Sequence, residues 1–122
     1  NATLSASAQN SLRKFATDVL VPNSDMDVSI MGYTDNQGWR NSTTEQSREK
    51  NQTLSYQRAQ SVSNYLMQSG ARSAQIREVK GLGEDFPVAD NSTAAGKQQN
   101  RRVEVYLYAS QQMIKNAEAQ AR

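Results

Sequence analysis

Met26-Asp27-Val28-Ser29-Ile30-Met31-Gly32-Tyr33 alternates, with Met26, Val28 and Ile30 on one side. A period of two reads as a β-strand with one buried face. Its flanks decide the fold class. Upstream, from Ser5 to about Leu20, residues Ala8, Leu12, Phe15, Ala16, Val19 and Leu20 follow helical spacing, with Lys14 and Asp18 opposite. Ser5 is the expected N-cap, and Val21-Pro22-Asn23-Ser24 stops the helix. Downstream, residues 34–52 are polar, with Trp39 the main apolar exception. That stretch reads as a long loop, and a loop of that length in a compact domain is usually functional.

Further outward, a second helix is predicted from about Leu54 to Ser69, with Ser55 near its start and Gly70 as its C′ residue. Leu54, Ala59, Val62, Tyr65 and Leu66 form its apolar arc. Ile76 to Gly81 reads as a strand, broken by Gly81-Leu82-Gly83. Residues 84–100 read as loop with one helical turn around Ala94 to Gln99. Arg102 to Tyr108 is the last strand, with Val103, Val105 and Leu107 on one face. Ser110 to Arg122 is rich in Ala and Gln and reads as a frayed helical tail, leaving residues 1–109 as the domain. The order helix, strand, helix, strand, strand predicts an α/β two-layer sandwich with right-handed crossovers.

At 122 residues, a net charge of +2 and 36% apolar residues, the chain fits one polar domain with a modest core. Mean hydropathy is −0.82 and the pI about 9.1. This mild basic excess lacks the clustered footprint of a nucleic-acid binder, so no nucleic-acid partner is expected. The chain has no Cys and no His. Disulfides, thiolate nucleophiles, the usual zinc sites and Ser-His-Asp arrangements are therefore excluded, and no metal or cofactor is expected. No segment approaches a membrane helix in length, and Asn1 opens no signal peptide. The chain reads as cytosolic, or as a mature or excised piece of an exported protein.

Three features could carry chemistry. Arg58 lies four residues after Leu54 and four before Val62, inside the apolar arc of the second helix. A guanidinium there is costly unless it is paired or reaches solvent. It is either a snorkelling or ion-paired structural residue, or a charge kept for a ligand. Asp35 follows the strand end Gly32-Tyr33-Thr34, where α/β sheets gather ligands, though an Asp also commonly starts a turn. Arg101 and Arg102 enter the last strand, where charge also serves to blunt a strand end.

Several separated motifs, in order, resemble one family. They are Gly32-Tyr33-Thr34-Asp35-Asn36-Gln37-Gly38, Asn51-Gln52-Thr53-Leu54-Ser55-Tyr56-Gln57-Arg58-Ala59, Gly81-Leu82-Gly83-Glu84, Pro87, Asn91, and Gly96-Lys97-Gln98-Gln99-Asn100-Arg101-Arg102-Val103-Glu104. From about Thr3 to Leu107 the chain looks like the OmpA-like C-terminal domain, found in outer-membrane OmpA-type proteins, the peptidoglycan-associated lipoprotein and MotB. The resemblance implies a βαβαββ sandwich whose first strand is partly or wholly missing from this chain. It also implies non-catalytic, non-covalent binding of the diaminopimelate residue of the peptidoglycan stem peptide. Residue by residue, Asp35 matches the acidic group that meets the ligand ammonium, and Arg58 the helical Arg that meets a carboxylate. Asn51 matches a loop Asn near the ligand and Arg101 an Arg at the pocket wall. Thr34 is expected to help through its backbone, and Arg102 is a weaker candidate. The implied setting is the periplasm of a Gram-negative bacterium, attached to the outer membrane by an upstream lipid or barrel anchor. The sequence leaves a homodimer open.

The residue types suit that ligand. Diaminopimelate ends in a free amino acid, one ammonium beside one carboxylate. An Arg fork matches a carboxylate bidentately, whereas Lys is a point charge. Exposed pairs contribute only roughly 0–1 kcal/mol each, so the groove must partly desolvate them. Compared with that family, the loop between Asp35 and Asn51 looks long, with the excess in residues 39–50. Trp39 within it would cover the ligand or pack down as a local anchor. The alternative functions are a periplasmic scaffold that contacts protein partners without wall binding, and a wall hydrolase. The hydrolase would need a second carboxylate beside Asp35 or a Ser-Lys arrangement, and no acidic residue is placed there by its sequence context.

Overall fold

A computed structural model describes residues 3–109 and 111–120. Helix α1, Ala6–Phe15, runs on into a π-helical segment, Ala16–Leu20. The Ser5 hydroxyl accepts from the Ala8 amide at 3.1 Å, so the expected cap is in place. Strand β1, Asp27–Tyr33, follows, then α2, Thr44–Gln68, and β2, Ile76–Gly81. A short helix α3, Ala94–Asn100, leads to β3, Arg102–Tyr108, and α4 spans Gln111–Gln120. Ser110, Ala121 and Arg122 of the expected helical tail lie outside the described residues.

The sheet has three strands in the order β2-β1-β3. β1 and β2 are parallel, joined through α2, with Val28 beside Ile76 and Gly32 beside Gly81. β1 and β3 are antiparallel, with Asp27 opposite Tyr108 and Tyr33 opposite Arg102. Val28 and Ile30 present the buried face and meet Ala16, Leu20, Ala59, Val62 and Leu66 in the core. Val103 and Val105 join its edge, whereas Leu107, expected on the same face, is exposed at the far end of β3. The two-layer α/β architecture agrees with the sequence reading.

One boundary differs strongly. The second helix begins at Thr44, not near Leu54, and is 25 residues long. The loop after β1 therefore covers only residues 34–43, and most of its apparent excess is helical. A capping box starts the helix: the Thr43 hydroxyl accepts from the Gln46 amide at 3.0 Å, and Gln46 Oε1 accepts from the Thr43 amide at 2.9 Å. The inward positions of this first half are Ser47, Asn51 and Ser55, followed by Ala59, Val62 and Leu66. A polar stripe gives no hydrophobic period, which hid the helix in the sequence.

Gly32 sets how closely α2 crosses the end of β1. A Cβ at Gly32 would lie 2.0 Å from the Ser55 carbonyl oxygen, closer than any side chain tolerates. The missing side chain lets residues 55–59 of α2 sit directly over the C-terminal end of β1. Beyond the strands, Leu82 donates to the Gly32 carbonyl and Thr34 donates to the Gly83 carbonyl, each at 2.9 Å. The Gly83 amide in turn donates to Ser55 Oγ at 3.0 Å. This mesh fixes the backbone that delivers Asp35.

Candidate functional site

Asp35 lies two residues past the end of β1, and Arg101 one residue before β3. Because Tyr33 faces Arg102 in the antiparallel pair, both side chains emerge at the same end of the sheet. Arg101 donates to Asp35 Oδ2 at 2.5 Å, and the Gln37 amide donates to Oδ1 at 2.8 Å. Asp35 as a whole is only 5% exposed, and its carboxylate accepts from these two strong donors. Lys97 of α3 braces the same loop by donating to Gln37 Oε1 at 2.8 Å.

Asp35, Gln37, Gly38, Trp39, Asn51, Leu54 and Arg101 line an open cavity of about 340 Å³. Arg58 sits one helical turn beyond Leu54, half-buried, and does not line this cavity. It is nevertheless in the field of the pair. Burial pushes its pKa below the usual guanidinium value, the positive charge of Arg101 lowers it further, and the Asp35 carboxylate opposes both. Two guanidinium groups and a carboxylate therefore act on one another at this end of the sheet. Together they can pair an ammonium with Asp35 and a carboxylate with the guanidinium groups.

Asn51 is buried on α2, not on a loop, because the helix starts so early. Both ends of its amide are engaged. Oδ1 accepts from the Trp39 indole N–H at 2.8 Å, while Nδ2 donates to the Gln37 carbonyl at 3.3 Å and to Glu84 Oε2 at 3.1 Å. With the Trp39 amide donating to Ser47 Oγ at 2.8 Å, two inward positions of α2 pin the loop. Trp39 is thus anchored through its N–H and still 41% exposed. Of the two expectations, the anchor is the one these bonds bear out, and the exposed part of the indole borders the cavity.

Thr34 is buried, its amide taken by Gly83 and its hydroxyl donating to the Asp35 carbonyl at 2.8 Å, so it shapes the turn rather than lining the cavity. Arg102 is not brought to the cavity. Successive β3 side chains alternate faces, and Val103 and Val105 take the core side. Arg102 donates to Glu104 Oε2 at 2.7 Å and to the Phe86 carbonyl at 3.0 Å, and stacks 3.8 Å from the Tyr33 ring centre. Gln37, Gly38 and Leu54 line the cavity but were not singled out from the sequence. The signal for Gln37 and Gly38 was their place directly after Asp35 in the first family-like motif. Asn100 also escaped notice: fully buried, it accepts from the Val88 and Ala89 amides at 2.7 and 3.0 Å and ties the loop before α3.

Among the described residues, no helix is long and apolar enough to cross a membrane, and no group of three His, Cys, Asp or Glu side chains could hold a metal ion.

Comparison with known proteins places the chain. The model of the OmpA family matches residues 1–101. The probable lipoprotein YiaD of Escherichia coli (strain K12) is 41% identical over 107 residues, covering 88% of this chain and 44% of that protein. The peptidoglycan-binding protein ArfA of Mycobacterium tuberculosis (strain H37Rv) is 42% identical over 83 residues, covering 68% of this chain and 23% of ArfA. This chain therefore spans less than half the length of these two curated relatives. Among solved structures, the peptidoglycan-associated lipoprotein from Burkholderia pseudomallei superposes with a TM-score of 0.76 at 28% identity, covering 88% of this chain and 83% of that one.

Proposed function

This chain belongs to the OmpA family, and on that premise we propose that it binds peptidoglycan non-catalytically, gripping the diaminopimelate end of the stem peptide. The observation that carries the reading is the Asp35–Arg101 contact of 2.5 Å beside an open cavity, within the field of Arg58. A relative named for peptidoglycan binding supports the substrate class. Asp35 takes the ligand ammonium. Arg58 and Arg101 take its carboxylate, with Arg101 turning from Asp35 as the ligand docks. Asn51 and Thr34 hold the frame, through Trp39 and the backbone of the turn.

Relatives named as lipoproteins support an envelope setting, with an anchor elsewhere in the full protein tethering the outer membrane to the wall. The polymeric wall presents many identical stems, so tethered copies gain avidity from modest single-site affinity.

The test is co-sedimentation with purified sacculi. The parent chain is expected to pellet, and Asp35→Ala and Arg58→Ala to stay in solution while keeping the parent's circular dichroism. Both variants pelleting like the parent would remove the assigned site. A parent that stays in solution would favour the scaffold reading, and soluble muropeptides released from the sacculi would favour a hydrolase.

A further inference from the structure

A second cleft lies beside the Asp35 cavity. It has a volume of about 380 Å³ and is lined by Trp39, Glu49, Lys50, Thr53, Leu54 and Gln57. Trp39 and Leu54 line both spaces, so indole and isobutyl group form an apolar ridge between them. The ridge is built rather than incidental. The indole N–H is fixed to Asn51 and the Trp39 amide to Ser47, both at 2.8 Å, while the indole itself stays partly exposed. Beyond it, the Lys50 ammonium lies 5.6 Å from the indole centre and reaches Ser42 Oγ at 2.6 Å. Lys50 is the one cation among the residues lining this cleft.

We propose that this cleft is a second subsite that takes the peptide portion of the stem next to the zwitterionic end, with Lys50 pairing a stem carboxylate. The proposal rests on the peptidoglycan reading above. A ligand whose charged terminus occupies the Asp35 cavity continues into a methylene spacer, and the apolar ridge matches that spacer. An amide backbone follows, and Glu49, Thr53 and Gln57 offer acceptors and donors for it. A free carboxylate reaching the cleft meets Lys50, whose amine moves on an exposed, flexible stem. The chain would then bind the stem peptide better than the isolated amino acid, and would read whether a neighbouring carboxylate is free or amidated.

Calorimetric titration tests this with four probes: diaminopimelate, a stem peptide with free carboxylates, the same peptide amidated outside its zwitterionic end, and the wall disaccharide without peptide. The parent should bind the free-carboxylate peptide about three- to five-fold more tightly than the amidated one, the range of one partly exposed ion pair. Lys50→Gln should bind diaminopimelate like the parent and should bind the two peptides equally. Discrimination retained in Lys50→Gln, or a parent that binds the disaccharide and both peptides alike, would overturn the subsite alone. Diaminopimelate binding unchanged by Arg58→Ala would overturn the first site, and this proposal with it.

Discussion

Arg101 and Asp35 hold each other in a partly desolvated place, and the asymmetry of their burial decides what each contributes. The Asp35 side chain is 8% exposed and that of Arg101 40%. Removing the cation leaves a buried carboxylate that keeps the Gln37 amide and the field of Arg58. Arg101→Gln is therefore expected to cost about 1–2 kcal/mol, less than a fully buried pair because the guanidinium is partly solvated. Urea unfolding checks this, and adding Asp35→Asn should recover part of the loss because the under-compensated buried charge is gone. At this scale the sequence was informative where a residue broke a pattern. Arg58 stood out as a guanidinium inside an apolar arc, and the structure places it half-buried in the field of Asp35 and Arg101. Asp35 broke no pattern, because an Asp after a strand is ordinary turn chemistry. It took the family resemblance to raise it above a turn residue. Arg102 shows the converse: adjacent to Arg101, it was singled out with it, yet the two-residue period of β3 sends it to the other face.

Helix α2 is the element on which the site depends. Its N-terminal half carries Ser47 and Asn51, which hold Trp39, and its middle carries Leu54 and Arg58. The capping box at Thr43 and Gln46 sets where that helix begins. Thr43→Ala should destabilise the chain by about 1 kcal/mol, seen as a lower melting temperature. It should also raise the exposure of Trp39, readable as a red shift in its fluorescence, since Trp39 is the only Trp in the chain. An unchanged emission spectrum would mean that the loop does not depend on the first turns of α2. The apolar half of this helix was legible from its spacing. The polar half was not, because its inward side chains serve hydrogen bonds rather than the hydrophobic core. The strands and the turn at α3 were legible at nearly their full extent, as alternation and Gly breaks are local signals.

At the scale of the whole molecule, the topology brings distant residues to one end of the sheet. The parallel β1–β2 pair requires α2 to cross back over the sheet, and Gly32 lets it do so in contact with the strand end. The antiparallel β1–β3 pair returns Arg101 to Asp35 from 66 positions away. Element order foretold this sandwich, but no local pattern could foretell that Trp39 would separate two clefts, since that depends on how loop and helix meet. The proposed function then rests on a carboxylate held by Arg101 and within the electrostatic reach of Arg58, an arrangement that would suit a ligand carrying both charges on one carbon. The most direct measurement is calorimetric titration of the parent chain with a stem peptide carrying diaminopimelate against the same peptide carrying lysine at that position, where peptide bonds consume the α-groups and lysine keeps a side-chain ammonium but lacks the carboxylate beside it. A charge-assisted bidentate contact is worth roughly 1.5–3 kcal/mol, so the diaminopimelate peptide should bind at least about tenfold more tightly than the lysine peptide. Equal affinity for the two, or no binding of the diaminopimelate peptide, would contradict the account.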